Sequence, residues 1–283
     1  MIILVKKVCL INMKGGVGKS TITVNLAHHF AYKDKTNRVL VVDLDPQFNA
    51  SQYLIGPASY KEIIENERPT IWNIFEQFTP MPGMSKSSQL DPTKIIHEAK
   101  KIYNHGHIHL IPSRLELAYS LKNPGQKEQL LAKFLKKVED DYDLILIDCP
   151  PTESLFTTAA YLSSNHILVP VKPEYLSSIG LPLLVNSMAE FKKQYEDHKL
   201  ELAGIMFNAT TNYSPEERKS KSEVKGIAEE NGWYVFESEV HFSRSYPKGA
   251  REGKPISRTS YARYSKAANF SAFAEEFSKR VGL

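Results

Sequence analysis

The sequence predicts an α/β fold: a doubly wound, mostly parallel twisted sheet flanked by helices. Short apolar runs typical of buried strands alternate with helical patterns along the chain, which is the order found in parallel sheets. Polar and charged residues follow several of these runs directly, and ligands bind at the carboxyl ends of strands in such sheets. The chain has 283 residues, enough for a proper core, and we expect one domain over residues 1–283.

The first predicted unit is a strand, a glycine-rich loop and a helix. An apolar run over 8–11 leads into Lys-Gly-Gly-Val-Gly-Lys-Ser-Thr at 14–21, and a helical pattern starts near Lys19. Such a loop can turn its backbone N–H groups around phosphate oxygens, and the helix N-terminus adds further donors. The motif predicts that Lys19 reaches the β- and γ-phosphates of a nucleotide and that the Ser20 hydroxyl binds Mg²⁺. The residues expected to hold the phosphates are Gly15, Gly16, Val17, Gly18, Lys19, Ser20 and Thr21, whereas Lys14 at the loop entrance could be an ordinary surface lysine by the motif alone.

Two later strands are expected to end in carboxylates. The run at 38–42 is followed by Asp43 and Asp45, which stand on alternate positions and therefore point to the same side. Asp-Pro is also a common turn signal, but two like charges on one side favour a cation site. The run at 144–147 ends in Asp148, which is the Walker B arrangement and predicts a place for Asp148 near the Mg²⁺ ion.

These segments resemble the ParA/MinD superfamily of P-loop ATPases, and the small ParA type without an N-terminal helix-turn-helix in particular. Lys14 matches the second lysine of the deviant Walker A loop, residues 43–51 match Asp-x-Asp-Pro-Gln-x-Asn-Ala-Ser/Thr, and 148–151 match Asp-x-Pro-Pro. The resemblance implies that ATP and Mg²⁺ are bound and that Lys14 reaches the nucleotide of a partner subunit. It also implies that Asp45 orients the attacking water and that Asp43 supports the metal shell. The implied catalytic residues are therefore Lys14, Lys19 and Asp45, and the implied metal residues are Ser20, Asp43 and Asp148. Phe48 departs from the family, which often has glycine there.

The same resemblance implies partners. It implies a homodimer that forms on ATP binding and binds double-stranded DNA without sequence preference. It also implies that a ParB-like activator protein stimulates ATP hydrolysis. It also implies that Asn208, at the end of a later strand, reads the adenine edge, which suits an amide; a simple turn-initiating asparagine is the alternative.

The net charge of +4 is modest, but the basic residues are unevenly placed. Seven basic residues and one acid lie between Arg244 and Lys266, and a further basic loop covers 218–221. Such clusters favour phosphate contacts, and a solvated surface is the alternative for any single residue. The candidate DNA contacts are Arg218, Lys219, Lys221, Arg244, Lys248 and Arg251.

Two alternative functions are weighed against this one. A MinD-like membrane regulator would use the C-terminal segment 261–281, whose aromatic residues are Tyr264, Phe270, Phe273 and Phe277. We expect these residues to pack in the core, because acids interrupt them and a basic face is missing. An iron–sulfur relative would need cysteines that bridge a cluster near the dimer axis, whereas Cys9 and Cys149 fall in expected buried strands. The lack of a long apolar run or signal-peptide pattern predicts a cytoplasmic protein with no membrane partner. The DNA binding that the family resemblance implies would associate this protein with the nucleoid.

The remaining segments carry weaker signals. We predict a surface insertion at about 56–106, with a helical piece at 92–101 and mobility around 80–90. A helix is expected at 126–139 and a last strand at 233–236. His105, His107 and His109 alternate and are expected to share one face; a metal site or an ordinary half-buried strand would explain them.

Overall fold

The computed structural model describes residues 5–33, 37–76, 90–102, 105–122, 127–174, 177–211 and 213–283. Its strands are β1 (Lys6–Leu10), β2 (Arg38–Asp43), β3 (His97–Lys101), β4 (His107–Ile111), β5 (Leu144–Asp148), β6 (His166–Val171), β7 (Glu201–Thr210) and β8 (Val240–His241). Its α-helices are α1 (Lys19–Lys33), α2 (Asn49–Glu65), α3 (Ile71–Phe75), α4 (Pro92–Ile95), α5 (Leu130–Leu135), α6 (Leu155–Leu162), α7 (Ser177–Gln194), α8 (Pro215–Glu230), α9 (Ser245–Glu252) and α10 (Tyr264–Val281).

The described strands form one eight-stranded sheet in the order β3-β4-β2-β5-β1-β6-β7-β8. Every neighbouring pair is parallel except β3 and β4, which are antiparallel. Helices α1, α2 and α10 pack on one face, and α3, α5, α6 and α7 pack on the other. Successive residues of β2 enter the two separate cores, which explains why the central strands read as continuous apolar runs. The predicted fold class is confirmed.

The register of the central strands places the expected acids together. Asp43 at the end of β2 is the pairing partner of Asp148 at the end of β5, and Asp148 also lies opposite Leu10 at the end of β1. The glycine-rich loop leaves β1 at this same edge. Three strand ends that are far apart in sequence therefore meet at one point of the sheet.

The prediction of a helix over 92–101 is correct only for the first part of this range. Asp91 caps α4 by accepting a hydrogen bond from the Thr93 backbone N–H at 3.0 Å, and α4 ends at Ile95. The chain then forms β3, which pairs with β4 through a bulge between Glu98 and Lys100. The free edge of β4 supplies hydrogen-bond partners there, and this pairing outweighs the weak helix propensity of the segment.

The described parts of segment 56–106 belong partly to the core. Helix α3 buries Ile71, Ile74 and Phe75, and Ile95 packs with them. With β3 in the sheet, these parts are not a surface insertion. The expected mobile stretch around 80–90 lies outside the described residues, apart from residue 90 itself.

Three expectations near the ends of elements also change. The last helix begins at Tyr264, whose side chain is 90% exposed rather than buried, whereas Phe270, Phe273 and Phe277 are buried as expected. The strand expected at 233–236 makes one bridge, between Val235 and Ile205, and β8 follows it. The helix expected at 126–139 is a short 3-10 turn followed by α5, and residue 126 is outside the described part.

No described helix is long and apolar enough to cross a membrane.

Candidate nucleotide-binding site

The glycine-rich loop is held by an asparagine that precedes it. The Asn12 side chain donates to the Pro170 carbonyl of β6 at 2.8 Å and accepts from the Lys14 backbone N–H at 2.9 Å. Gly16 and Gly18 have φ values of 74° and 94°, a region that side-chain-bearing residues rarely adopt. A Cβ on Gly15 or Gly16 would meet no protein atom within 4 Å. These two glycines therefore line open space, as a phosphate-binding loop requires.

Lys19 begins α1 and lies across this loop. Its ammonium donates to the carbonyl oxygens of Asn12 at 3.1 Å and Lys14 at 3.3 Å, and the residue is 7% exposed. Burial lowers the pKa of Lys19, while Asp148, Cys149 and Asp45 oppose this shift by attraction. A phosphate would supply charged acceptors in place of the two carbonyls.

Asp148 is fully buried, and its Oδ2 has no hydrogen-bond partner among the described residues. Its Oδ1 lies 3.5 Å from the Thr23 hydroxyl on α1. The pKa of Asp148 is raised to about 7, mainly by burial and to a smaller degree by Asp45, while hydrogen bonding to Ser20 and the charge of Lys19 act in the opposite direction. An orphaned buried carboxylate oxygen is costly unless a cation completes it. Asp148 and the Ser20 hydroxyl thus fit a hard oxygen-binding ion such as Mg²⁺.

Asp43 differs from Asp148 because protein donors occupy both of its oxygens. Oδ2 accepts from the backbone N–H and the hydroxyl of Ser51, both at 2.7 Å, and Oδ1 accepts from the Asp45 N–H at 3.2 Å. Burial and the neighbouring Asp148 raise the pKa of Asp43 well above its usual range. This arrangement favours a role for Asp43 in positioning the Asp45 segment; direct metal contact stays a prediction.

Asp45 starts the turn that leads to α2. Its Oδ1 accepts from the Gln47 N–H at 2.9 Å, and Phe48 follows with a φ of 49°. The left-handed conformation explains why glycine suits this position in the family. Phe48 is held there by stacking on Tyr60, with ring centroids 4.8 Å apart. Asp45 is 7% exposed at the same sheet edge as Asp148.

The Lys14 side chain forms an ion pair with an acid of the same chain. Its ammonium lies 3.1 Å from an oxygen of Glu174, which follows β6, and Glu174 also pairs with Lys172. Gly180 of α7 brings that helix close to the loop entrance, because a Cβ on it would lie 3.4 Å from the Asn12 side-chain oxygen. The described chain therefore holds the lysine at the edge of the site.

Asn208 contacts the loop itself. Its Nδ2 donates to the Val17 carbonyl at 2.7 Å, and a Cβ on Gly18 would come within 2.2 Å of the same nitrogen. The close approach explains why glycine is needed at 18. Contact between Asn208 and adenine stays a prediction.

Asn12, Ser51 and Gly180 contribute to the site although the sequence did not predict a role for them. Ser51 links Asp43 to the next strand end, because its hydroxyl also accepts from the Ser113 N–H at 3.0 Å. The sequence held a usable signal for two of these residues, because Asn12 lies just before the loop and Ser51 is the last residue of the second family motif. The sequence held no signal for Gly180, since the role of this residue depends on how α7 packs.

The six candidate DNA contacts differ in their exposure and in their ion pairs. Arg218, Lys219, Arg244 and Arg251 are exposed. Lys221 is paired with Glu217 at 3.1 Å and Glu239 at 2.7 Å, with its side chain only 12% exposed, which makes it the poorest of the six. Lys248 lies 3.4 Å from Glu252.

A small basic cleft surrounds Arg244. It measures about 330 Å³ and is lined by Phe242, Ser243, Arg244, Ser245, Tyr261, Arg263 and Lys266. Its lining, as far as the chain is described, includes no acid, and Phe242 and Tyr261 are both more than half exposed. Exposed cations between exposed rings are typical of a surface that contacts a nucleic-acid backbone.

The loop, the sheet and the strand-end acids define a P-loop nucleotide-binding fold. Residues 5–202 match the family described as an AAA domain. An uncharacterized protein of Mycobacterium tuberculosis is 31% identical over 98% of this chain and 80% of its own length. The chromosome-partitioning ATPase Soj of Treponema pallidum is 28% identical over 98% of both chains.

A solved structure supports the same assignment at the level of the fold. The ATP complex of a single-residue variant of Cyanothece McdA superposes with a TM-score of 0.78 at 17% identity, covering 99% of this chain and 97% of that one. The chain belongs to the ParA-type partition ATPases of the ParA/MinD superfamily.

Proposed function

We propose that this protein hydrolyses ATP slowly, dimerises when ATP is bound and then binds DNA without sequence preference, so that it partitions or positions a cargo. The observation that carries the proposal is the meeting of Lys19, Asp45 and Asp148 at one sheet edge, with Lys14 at its entrance. Each of these side chains has a distinct part in phosphoryl transfer.

The glycine-rich loop would bind the phosphates of the nucleotide and would neutralise part of their charge. Backbone N–H groups of 15–20 would surround the β-phosphate, and Lys19 would exchange its two carbonyl acceptors for phosphate oxygens. Asp148 and Ser20 would hold the Mg²⁺ that accompanies ATP, and this ion would supply charge neutralisation at the phosphates. The Lys14 backbone N–H is already fixed by the Asn12 side chain at 2.9 Å, so part of this geometry is preorganised.

Asp45 is the group we assign to the attacking water. Its carboxylate keeps one oxygen bonded to Gln47 while its backbone is tied to Asp43. This leaves Oδ2 to accept a hydrogen bond from a water and to orient that water toward the γ-phosphate. Loss of this group should stop hydrolysis while nucleotide binding remains.

Lys14 is the group we assign to dimerisation. For Lys14 to contact the nucleotide of a second subunit, its ammonium must leave Glu174 and turn outward. Bound ATP in the partner carries more negative charge than Glu174 does, and more than bound ADP, so the exchange is more favourable with ATP than with ADP. ATP binding and dimer formation are thereby linked.

The DNA surface we propose includes the basic cleft and the exposed cations Arg218, Lys219 and Arg251. Contacts of this kind give affinity without sequence reading. A ParB-like protein is the activator we propose, and association with the nucleoid follows from DNA binding in the ATP state. Phe270, Phe273 and Phe277 are buried, so they are not available as the membrane tip of a MinD-like regulator.

Binding to a non-specific DNA duplex tests the proposal. Fluorescence anisotropy would be measured with ATP, with ADP and without nucleotide at two salt concentrations, for the wild type, Asp45→Ala and Lys14→Ala. We expect binding that needs ATP, weakens with salt, survives Asp45→Ala and disappears with Lys14→Ala. DNA binding that ignores the nucleotide, or that persists in Lys14→Ala, contradicts the proposal. If no condition gives DNA binding, lipid vesicles are the next partner to test.

A further inference from the structure

The outer edge of the sheet carries a second cluster of chemically active side chains, remote in sequence from the nucleotide site. His107 and His109 stand on the same face of β4, and the antiparallel strand β3 places Glu98 opposite His109. One ligand atom from each of the three side chains lies within 4.8 Å of the others. We propose that Glu98, His107 and His109 form a binding site for a divalent transition metal, with Zn²⁺ as the ion that this donor set suits best.

The donor set explains the choice of ion. Two imidazole nitrogens and one carboxylate oxygen suit Zn²⁺ and its neighbours in the first transition row, and do not suit Mg²⁺ or Ca²⁺, which prefer oxygen alone. Three protein ligands leave a fourth position open for water or a group from outside. Glu98 is exposed and both histidines are half-buried, so an ion can reach the site from solvent.

The orientation of His109 is already set for this role. Its Nδ1 lies 2.7 Å from the Tyr142 hydroxyl. When Nδ1 carries the hydrogen and donates it to that oxygen, Nε2 is left as the lone-pair donor. Histidine ligands of metals commonly have such a partner on the second ring nitrogen.

His105 does not belong to the cluster, contrary to the expectation that the three histidines share one face. It precedes β4, and its ring meets Tyr32 of α1 at 5.4 Å between centroids. Ile108, between the two ligating histidines, faces the α1 side of the sheet. His105 therefore provides a matched control, since it is close in sequence but lies outside the proposed site.

A bound ion would join the outermost strand to its neighbour. Strand β3 lies at the end of the sheet order, and among the described strands it pairs with β4 alone. Lys101 is the pairing partner of His107, but it is exposed and its long chain can turn its charge to solvent. Because a metal that binds the folded state stabilises it by mass action, the site should show in thermal unfolding as well as in binding.

Zn²⁺ titration of untagged, chelator-treated protein tests the proposal. Calorimetry and thermal unfolding would be run with excess Mg²⁺, so that oxygen-only sites are occupied, for the wild type, His107→Asn, Glu98→Gln and His105→Asn. We expect one equivalent of Zn²⁺ to bind and to raise the melting temperature in the wild type and His105→Asn. His107→Asn should lose both effects, Glu98→Gln should weaken both, and Tyr142→Phe should bind about tenfold more weakly.

A second probe checks the ligands directly. Co²⁺ in place of Zn²⁺ should give visible absorption typical of nitrogen and oxygen ligands in the wild type, and His107→Asn should reduce it. The proposal fails if the wild type binds no Zn²⁺ under these conditions. It also fails if His107→Asn and Glu98→Gln, each folded by circular dichroism, bind as the wild type does, or if His105→Asn is the variant that loses binding.

Discussion

The ammonium of Lys14 lies 3.1 Å from a carboxylate oxygen of Glu174, which follows it by 160 positions in the same chain. Glu174 also accepts from Lys172. Hydrogen bonding to both lysines lowers the pKa of Glu174, so this carboxyl is charged at neutral pH. The family motif assigns Lys14 to contact with the nucleotide of a partner subunit. In this structure Lys14 is instead paired with an acid of its own chain.

Glu174→Gln should make ATP-dependent dimerisation easier. Removing the charge lowers the cost of turning Lys14 outward, and a partly exposed ion pair is worth up to about 1 kcal/mol. The ATP concentration for half-maximal dimerisation, measured by light scattering, should fall by up to about fivefold. Glu196→Gln, an exposed acid beyond α7, is the matched control. An unchanged or higher requirement for ATP in Glu174→Gln would show that the pair does not restrain Lys14.

Ser51→Ala should destabilise the protein. The Ser51 hydroxyl donates to Asp43 at 2.7 Å and accepts from the Ser113 N–H at 3.0 Å, all in buried surroundings. Its removal leaves a buried N–H unpaired and weakens the anchoring of Asp43, at a cost of about 1–3 kcal/mol. Urea unfolding measures this cost. Ser51→Thr keeps the hydroxyl and should retain most of the stability; equal losses in the two variants would mean that the hydroxyl is not the cause.

The stability of the protein should fall in acid partly because of His28. This residue is buried with no hydrogen-bond partner for either ring nitrogen among the described residues, and burial lowers its pKa from 6.5 to about 3. Between these two values the unfolded chain binds a proton that the folded chain does not. The free energy of unfolding therefore decreases as the pH falls from 6.5 toward 3, by at most about 1.4 kcal/mol per pH unit from this group.

His28→Leu should remove that share of the pH dependence. Urea unfolding from about pH 7.5 to about pH 4.5, a range that spans the titration of an unfolded histidine, should give a shallower slope in His28→Leu than in the wild type. If His28→Leu and the wild type lose stability in parallel, proton uptake by this ring is not what destabilises the fold in acid.

Arg244→Glu should lower the affinity for DNA and should also make that affinity less dependent on salt. Arg244 lines the basic cleft with Arg263 and Lys266. Loss of one phosphate contact should reduce the slope of log affinity against log salt by about 0.9. Anisotropy in the ATP state at several salt concentrations measures the slope, and Lys192→Glu, an exposed lysine of α7, makes the same charge change elsewhere. Equal effects of the two variants would point to net charge rather than to the cleft.

The sequence by itself determined the nucleotide loop, the strand-end acids and the doubly wound sheet. Each of these depends on local physics: glycine conformations in the loop, apolar runs for buried strands, and the fact that parallel strands present their carboxyl ends at one edge. For that reason Lys19, Asp45 and Asp148 could be named before their distances were known.

Only the tertiary structure decided which distant residues meet. It turned 97–101 into an edge strand, separated His105 from His107 and His109, and brought Glu98 beside them. It likewise paired Lys14 with Glu174 and made Asn12 and Ser51 the supports of the site. These outcomes depend on strand register and on the hydrogen-bond partners offered by a neighbouring strand, and contacts between residues far apart along the chain leave no periodic pattern in the sequence.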